Sequence, residues 1–291
     1  MDGKTGILLG DGSYHLGISG TVDTKTFNSL LRGEDPVTGM AAFRNSGLDS
    51  RTCMWDMTYS VTKSQSTLYS QLDENGQKEI EDILRQSVIQ TMDHVQRHLK
   101  VGRNGKREKE MCKLIFSTFV HESSREGDPQ LHLHCLLHNM GIDNNGNYVT
   151  LDIQNIFKAK KSIGAIFRAT FSQKLMEFGY HVEREEERPE FTYIPEISSK
   201  VCARFSKRRQ QIIQSVQDKG LSHFSARTLE LIARSSRKPK TKRSREEVLL
   251  QWRTAGAAAG FGPSQAQELR KEAQARGPAT VKSLPKKETI L

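Results

Sequence analysis

The chain has 291 residues and a formal net charge of +10 at pH 7. That length can bury a sizeable core as one large domain or two, and the positive balance points to a polyanionic partner, although excess lysine also serves solubility. Four scattered cysteines, Cys53, Cys112, Cys135 and Cys202, form no C-x-x-C pair; this argues against a zinc ribbon or a disulfide framework and fits a reducing cytoplasm. No apolar run approaches a membrane span, and MDGKTGILLG is no convincing signal peptide.

Gly6–Gly20 carries five glycines and reads as loop or short strand. Thr24–Leu31, between Asp23 and Gly33, has the signals of a short capped helix. Glu34–Asp49, with Pro36, Gly39 and Gly47, reads as a flexible stretch. CMWDMTYSVTKS then begins as a strand, with Met54, Asp56, Thr58 and Ser60 on one face. Taken alone, Asp56 is an edge carboxylate facing water and Lys63 an ordinary lysine at a helix start. Gln77–Leu99 repeats Ile80, Ile83, Leu84, Val88, Met92 and Val95 at a helical period. His94 and His98 share a face of that helix, but with basic neighbours and no H-E-x-x-H pattern they read as solvated surface. VGRNGKREKEM reads as a hairpin tip turning at Asn104-Gly105, where Lys106, Arg107 and Lys109 brush phosphates or are simply solvated.

KLIFSTFVH alternates as a half-buried strand ending at His121, a polar turn follows, and LHLHCLLHN resumes strand character. His132 and His134 point one way and Leu131, Leu133, Cys135 and Leu137 the other, into a core. A bare H-x-H is more often an exposed polar face than a ligand pair. Here the apolar surroundings make unpaired histidines costly, and His121 lies across a turn of suitable length for antiparallel pairing. Three imidazoles converging on a sheet suit a divalent cation with positions left for substrate oxygens. His138 has the same parity but lies about 13 Å along the strand from His134, too far for a fourth ligand.

IDNNGNYVTLD reads as a hairpin turning at Asn145-Gly146. The next helix, about Gln154 to Phe178, ends at Gly179 and offers Ile156, Ile163, Ile166, Phe167, Phe171 and Leu175 as core. FTYIP reads as a strand, and FSKRRQQIIQSVQDKG as an amphipathic helix with Lys207, Arg208 and Arg209 near its start. Arg234–Arg245 holds seven basic residues, including Arg237, Lys238, Lys240, Lys242 and Arg243, and no acid; such runs are solvated linkers or phosphate contacts. Glu246–Thr254 continues as helix. The tail, 260–291, is rich in Gly, Pro, Ala and Lys and is expected to be loosely ordered.

The stretch FVHESSREGDPQLHLHCLLHNM resembles the metal-site signature of MobF-type conjugative relaxases, within the HUH endonuclease class. A hydrophobic residue, Leu133, separates two histidines, and His121, Ser124–Arg125 and Asp128–Leu131 also fit. The resemblance implies site-specific nicking of single-stranded DNA at a plasmid transfer origin, with a tyrosine becoming attached to the 5′ phosphate. It implies a magnesium or manganese ion on His121, His132 and His134, and accessory transfer proteins among the possible partners. Asp-x-Thr-x-Ser-x-x-Lys-Ser resembles the segment that places an acid beside these histidines, so Asp56 would orient a histidine or take the nucleophile's proton, with Lys63 and Ser64 close to a phosphate. Arg125 would be a phosphate clamp or a salt-bridged structural residue, and Lys207, Arg208 and the 237–243 run would contact DNA.

The expected fold is α+β: a mainly antiparallel central sheet carrying the histidines, flanked by helices, with a basic helical C-terminal region. Residues 1–259 form the relaxase-like domain, with 198–259 its DNA-gripping part. Relaxases of this kind carry an N-terminal strand and a tyrosine-bearing helix ahead of the segment matching Gly6–Gly20, so the chain is expected to be trimmed at its start. Tyr14, in GDGSYHLGISG, is the nearest remaining tyrosine. Two other readings stand beside a relaxase: a nick-incompetent binder of origin DNA, and a metal-dependent phosphodiesterase using water.

Overall fold

The computed structural model describes residues 5–103, 109–218 and 243–278. The organising element is β7 (Pro129–Ile142), whose neighbours on either side follow from its length. One edge pairs throughout with β6 (Lys113–Ser123). The other edge is shared end to end by β3 (Met54–Ser60), opposite His132 to His138, and β8 (Tyr148–Leu151), opposite Gly141 and Ile142. Outward from β6 lie β1 (Ile7–Leu9) and β2 (Gly20–Thr21); outward from β8 lie β4 (Gly102–Arg103) and β5 (Lys109–Glu110). Every pairing is antiparallel.

Alternation along β7 divides the molecule. Leu131, Leu133, Cys135 and Leu137 are fully buried beneath α3 (Lys63–Gln71), α4 (Glu74–His98) and α5 (Gln154–Phe178). The apolar stripe of α4 is buried as its period requires, and in α5 only Ile166 departs from the expected core, being half-buried. On the opposite face, α1 (Asp11–His15) and α2 (Thr24–Arg32) cover one end of the sheet, where Leu8, Leu30, Ile115 and Met140 form a small second core. The helix α2 has the caps read from its sequence: Asp23 accepts from the Thr26 N–H at 2.9 Å, and Gly33 closes it at φ 71°.

The stretch between α2 and β3 is not loose. Asp35 accepts from the Val37 and Thr38 N–H groups, Ser46 donates to the Gly33 carbonyl at 2.6 Å, and the Arg51 guanidinium bonds Asn45 and the Asn139 carbonyl. FTYIP shortens to β10 (Thr192–Tyr193), paired with β9 (Glu183–Arg184). The helices α6 (Ser199–Arg204) and α7 (Lys207–Gln217) follow, then α8 (Arg245–Ala259). The tail expected to be loosely ordered instead begins with α9 (Pro263–Arg276). Ala266, Leu269 and Ala273 are buried, and Arg270 bonds Glu79 of α4 through two nitrogens at 2.9 and 2.6 Å. Gly179 meets α9 so closely that a Cβ there would run into the Ala273 carbonyl. Small-residue composition marks close helix packing here, not disorder. Among the described residues no helix is long and apolar enough to cross a membrane.

Candidate metal centre

The register places His121 directly opposite His132 on β6 and β7, with His134 one step along the same face of β7. The three rings pack edge to face, with centroids 4.8 to 5.4 Å apart. One ring nitrogen from each lies within 4.8 Å of the other two, and all three side chains are half-buried. The acid read from β3 belongs to this face too, because Thr58 pairs with His134 and Asp56 stands one step further along the edge strand. Asp56 Oδ2 lies 2.7 Å from His134 Nδ1, and the Thr58 hydroxyl donates to Oδ1 at 3.3 Å.

These contacts fix the chemistry of the rings. A carboxylate only accepts, so His134 Nδ1 carries the proton, and in the neutral ring Nε2 keeps its lone pair. His132 is fixed in the same way, since its Nδ1 donates to the Gln130 carbonyl at 2.7 Å. Partial burial pushes the Asp56 carboxyl up, but the hydrogen bond from His134, the charge that ring and His132 carry when protonated, and the Thr58 hydrogen bond outweigh it and leave the carboxyl below its ordinary value in the metal-free protein. The donor set therefore fits a divalent metal ion: neutral imidazole nitrogens, two with outer partners that fix the tautomer, on a rigid sheet.

A register irregularity adjoins the centre. Between His121 and Ser123 the partner moves from His132 to Pro129, so Gln130 and Leu131 together face Glu122. This is a bulge on β7 just before His132, and bulges of this kind re-aim side chains at sites. Lys63 Nζ donates to the Pro129 carbonyl at 2.7 Å and to Gln130 Oε1 at 3.0 Å. Opposite the bulge, the nearly buried Glu122 accepts from Arg245 Nε at 2.9 Å, and Arg245 also bonds Gln77 at 2.8 Å. The C-terminal helices hold the turn between the two strands. Trp252 Nε1 donates to the Gly127 carbonyl at 2.7 Å, and the Lys207 backbone N–H to Asp128 Oδ2 at 2.7 Å.

The residues expected at DNA are thus distributed unevenly. Lys63 and Ser64 are turned to internal partners, Ser64 accepting from the Ile194 N–H at 3.1 Å. Arg125 is exposed on the turn, Lys207 Nζ lies 3.4 Å from Asp128, Arg208 bonds Gln211 at 3.5 Å, and Arg243 bonds Gln251 at 2.7 Å. Arg237, Lys238, Lys240 and Lys242 lie outside the described residues, as does the Asn104-Gly105 turn with Lys106 and Arg107. Lys109 pairs with Asp152 at 3.1 Å. His138 stands apart from the cluster, fully buried, bonded to Ser117 Oγ at 2.7 Å and packed on Phe27. Burial lowers its pKa to about 3. His94 and His98 stack on each other at the end of α4 and are not part of the three-histidine cluster.

Among the described residues, which include all six tyrosines, the tyrosine side chains make their contacts away from the three histidines. Tyr14 is exposed on α1, next to His15, whose ring nitrogen lies 3.1 Å from Lys113 Nζ at the far end of β6. Lys113 is eight residues before His121, roughly 26 Å away at about 3.3 Å per residue. Tyr59 donates to Met92 Sδ in the core, Tyr69 donates to Glu81, and Tyr180 is buried. Tyr148 packs on Phe43 beneath the second core, and Tyr193 donates to Glu183.

The profile of the TrwC relaxase family matches residues 2–259. The chain belongs to that family. Among solved structures, the conjugative relaxase TrwC in complex with oriT DNA and copper superposes with a TM-score of 0.79 at 28% identity, covering 89% of each chain. TrwC with a 27-mer DNA comprising the recognition hairpin and the cleavage site gives 0.77 at 28% identity, covering 88% of this chain and 92% of that one. The multifunctional conjugation protein TraI of Escherichia coli is 26% identical over 290 residues, 93% of this chain. A second TraI, of strain K12, is 27% identical over 186 residues. The chain spans only 16% and 10% of the lengths of these two relatives. The α+β fold, the antiparallel sheet and the clustering of His121, His132 and His134 are as the relaxase resemblance implied.

Proposed function

We propose that this relaxase-family domain binds single-stranded DNA at a plasmid transfer origin and presents one phosphodiester for transesterification to a tyrosine. The observation that carries this reading is the triad of half-buried imidazoles beside Asp56. His121, His132 and His134 would hold a divalent ion, which would supply stabilisation of the charge developing on the phosphate. Of the two ions expected, manganese suits three nitrogen donors better than magnesium, which favours oxygen ligands. The tyrosine hydroxyl gives up its proton to solvent as its oxygen bonds to phosphorus, the P–O3′ bond breaks, and the departing 3′ oxygen takes a proton from solvent to become a hydroxyl that can reverse the step. For Asp56 the orienting role is favoured over the base. Both its oxygens already accept hydrogen bonds, and a carboxyl held below its ordinary range is a weak proton acceptor at neutral pH.

The positions of the six tyrosines favour a second reading for the 291 residues taken alone, that of an origin-binding module which does not nick. On this account the attacking hydroxyl belongs to a separate tyrosine-bearing segment. The free cysteines suit a reducing cytoplasm, where we place the domain. The test is to incubate the chain with Mn²⁺ and an oligonucleotide carrying the cognate origin. A native gel should show a complex and a denaturing gel no covalent adduct, whereas a tyrosine-bearing segment placed ahead of residue 1 should produce the adduct. Failure to bind any origin strand would end the relaxase reading. An adduct from the unextended chain that Tyr14→Phe abolishes would make Tyr14 the nucleophile.

A further inference from the structure

We infer that Lys63 is a positioning residue for His132, acting through the bulge at Gln130–Leu131, and is not itself a ligand for a DNA phosphate. A bulge frees backbone groups from the ladder, and here the freed Gln130 carbonyl is the acceptor that keeps the His132 proton on Nδ1. That carbonyl points correctly only while the bulge keeps its shape. Lys63 holds the shape with two bonds from one ammonium, to the Pro129 carbonyl at 2.7 Å and to Gln130 Oε1 at 3.0 Å. Gln130 Nε2 closes the loop by donating to the Val61 carbonyl at 3.2 Å, two residues before Lys63. The neighbouring Ser66 hydroxyl accepts from the Leu131 N–H at 3.1 Å, so the first turn of α3 grips both residues of the bulge.

The helix is itself well fixed at this end. Thr62 and Gln65 form a capping box, and Gln65 bonds Thr192 from the buried side at 3.0 Å. Lys63 therefore projects from a rigid point at a fixed distance from the strand. Desolvation lowers its pKa, with Asp128 and Cys202 acting in the opposite sense. An ammonium committed to two oxygens in a partly dry setting would have to break both bonds to reach a phosphate. Losing a ligand's outer hydrogen-bond partner typically changes metal affinity by 10–100-fold, and Lys63, one step further out, acts by holding that partner, the Gln130 carbonyl, in place.

The inference rests on the metal centre proposed above, and two measurements on Lys63→Met separate it from that reading. In the metal-free protein, the His132 Nδ1–H proton should shift or broaden by NMR while that of His134, held by Asp56, stays in place. In a Mn²⁺ titration the variant should bind at least tenfold more weakly than wild type, with Lys63→Arg, which keeps donors for both oxygens, within about threefold of it. The salt dependence of single-strand binding should be unchanged, since the lysine neutralises no phosphate. Gln130→Leu removes one of the two lysine acceptors and should show the same changes in smaller measure, which covers the case of a Lys63→Met protein that does not fold. Wild-type protein that bound no Mn²⁺ would sink the metal centre, and the NMR result alone would then decide the role of Lys63. An unchanged His132 signal overturns the inference. So does a log–log salt slope reduced by about 0.7 with metal affinity intact, which is the signature of a single-strand phosphate ligand.

Discussion

Replacing Asp56 with Asn should weaken divalent-metal binding by at least tenfold while leaving the domain folded. The carboxylate holds His134 Nδ1 at 2.7 Å, a charge-assisted length, and so keeps Nε2 free of its proton. An Asn can satisfy Nδ1 in two ways. Its Oδ1 accepts from Nδ1–H in a weaker neutral bond, or its NH₂ donates to Nδ1 and drives the ring proton onto Nε2, where it blocks coordination. Outer partners of this kind change metal affinity by 10–100-fold, about 1.4–2.7 kcal/mol. Stability should move much less, because the Asp56 side chain is 46% exposed and the pair is screened by water. Calorimetric titration of metal-free protein with Mn²⁺ at pH 7.5, beside urea unfolding of the same samples, measures both. Affinity within twofold of wild type would refute the reasoning, and Asp56 would then be a spectator at the sheet edge.

Further outcomes follow from the packing and charge. His138 is buried neutral with a pKa near 3, below the ordinary value of 6.5, so as pH falls the unfolded chain takes up the proton first. Stability from this group should be complete above pH 6.5 and fall by about 2 kcal/mol between pH 7 and 5, and His138→Gln should remove that part of the slope in urea unfolding at the two pH values. Gly179→Ala should cost more than about 2 kcal/mol, since φ is 109° and the added Cβ meets the α9 backbone; a smaller loss would mean that α9 shifts freely. Neutralising Arg237, Lys238, Lys240, Lys242 and Arg243 together should flatten the salt dependence of single-strand binding, by roughly 0.7 in log–log slope for each phosphate no longer neutralised. An unaltered slope would make the run a solvated linker.

Much of the site was legible in the sequence because strands have a period of two. The spacing of His132 and His134 fixes their common face, the turn length fixes His121 opposite them, and the alternation of Met54, Asp56, Thr58 and Ser60 brings the acid to the same side. What period cannot reveal is the end of an interaction that crosses elements. Lys63 reads as a surface lysine until the bulge at Gln130 is seen. Glu122 reads as a polar strand residue until Arg245, 123 positions later, is found bonded to it. His138 has ligand parity but is covered by Phe27 of a helix more than a hundred residues earlier. Composition misled over 260–278, where Ala266 and Ala273 allow α9 to dock closely against the body, while the rest of the tail, 279–291, lies outside the described residues.

The account depends most directly on a metal being held by three imidazoles. Pulsed electron paramagnetic resonance of the protein loaded with one equivalent of Mn²⁺ reads directly bonded nitrogens. We predict one ion per chain with couplings from three histidine nitrogens in wild type, and loss of one nitrogen or of the bound ion in each of His121→Ala, His132→Ala and His134→Ala, with circular dichroism unchanged. Bound Mn²⁺ showing no nitrogen coupling, or a spectrum that all three substitutions leave as it was, would contradict the assignment of the centre.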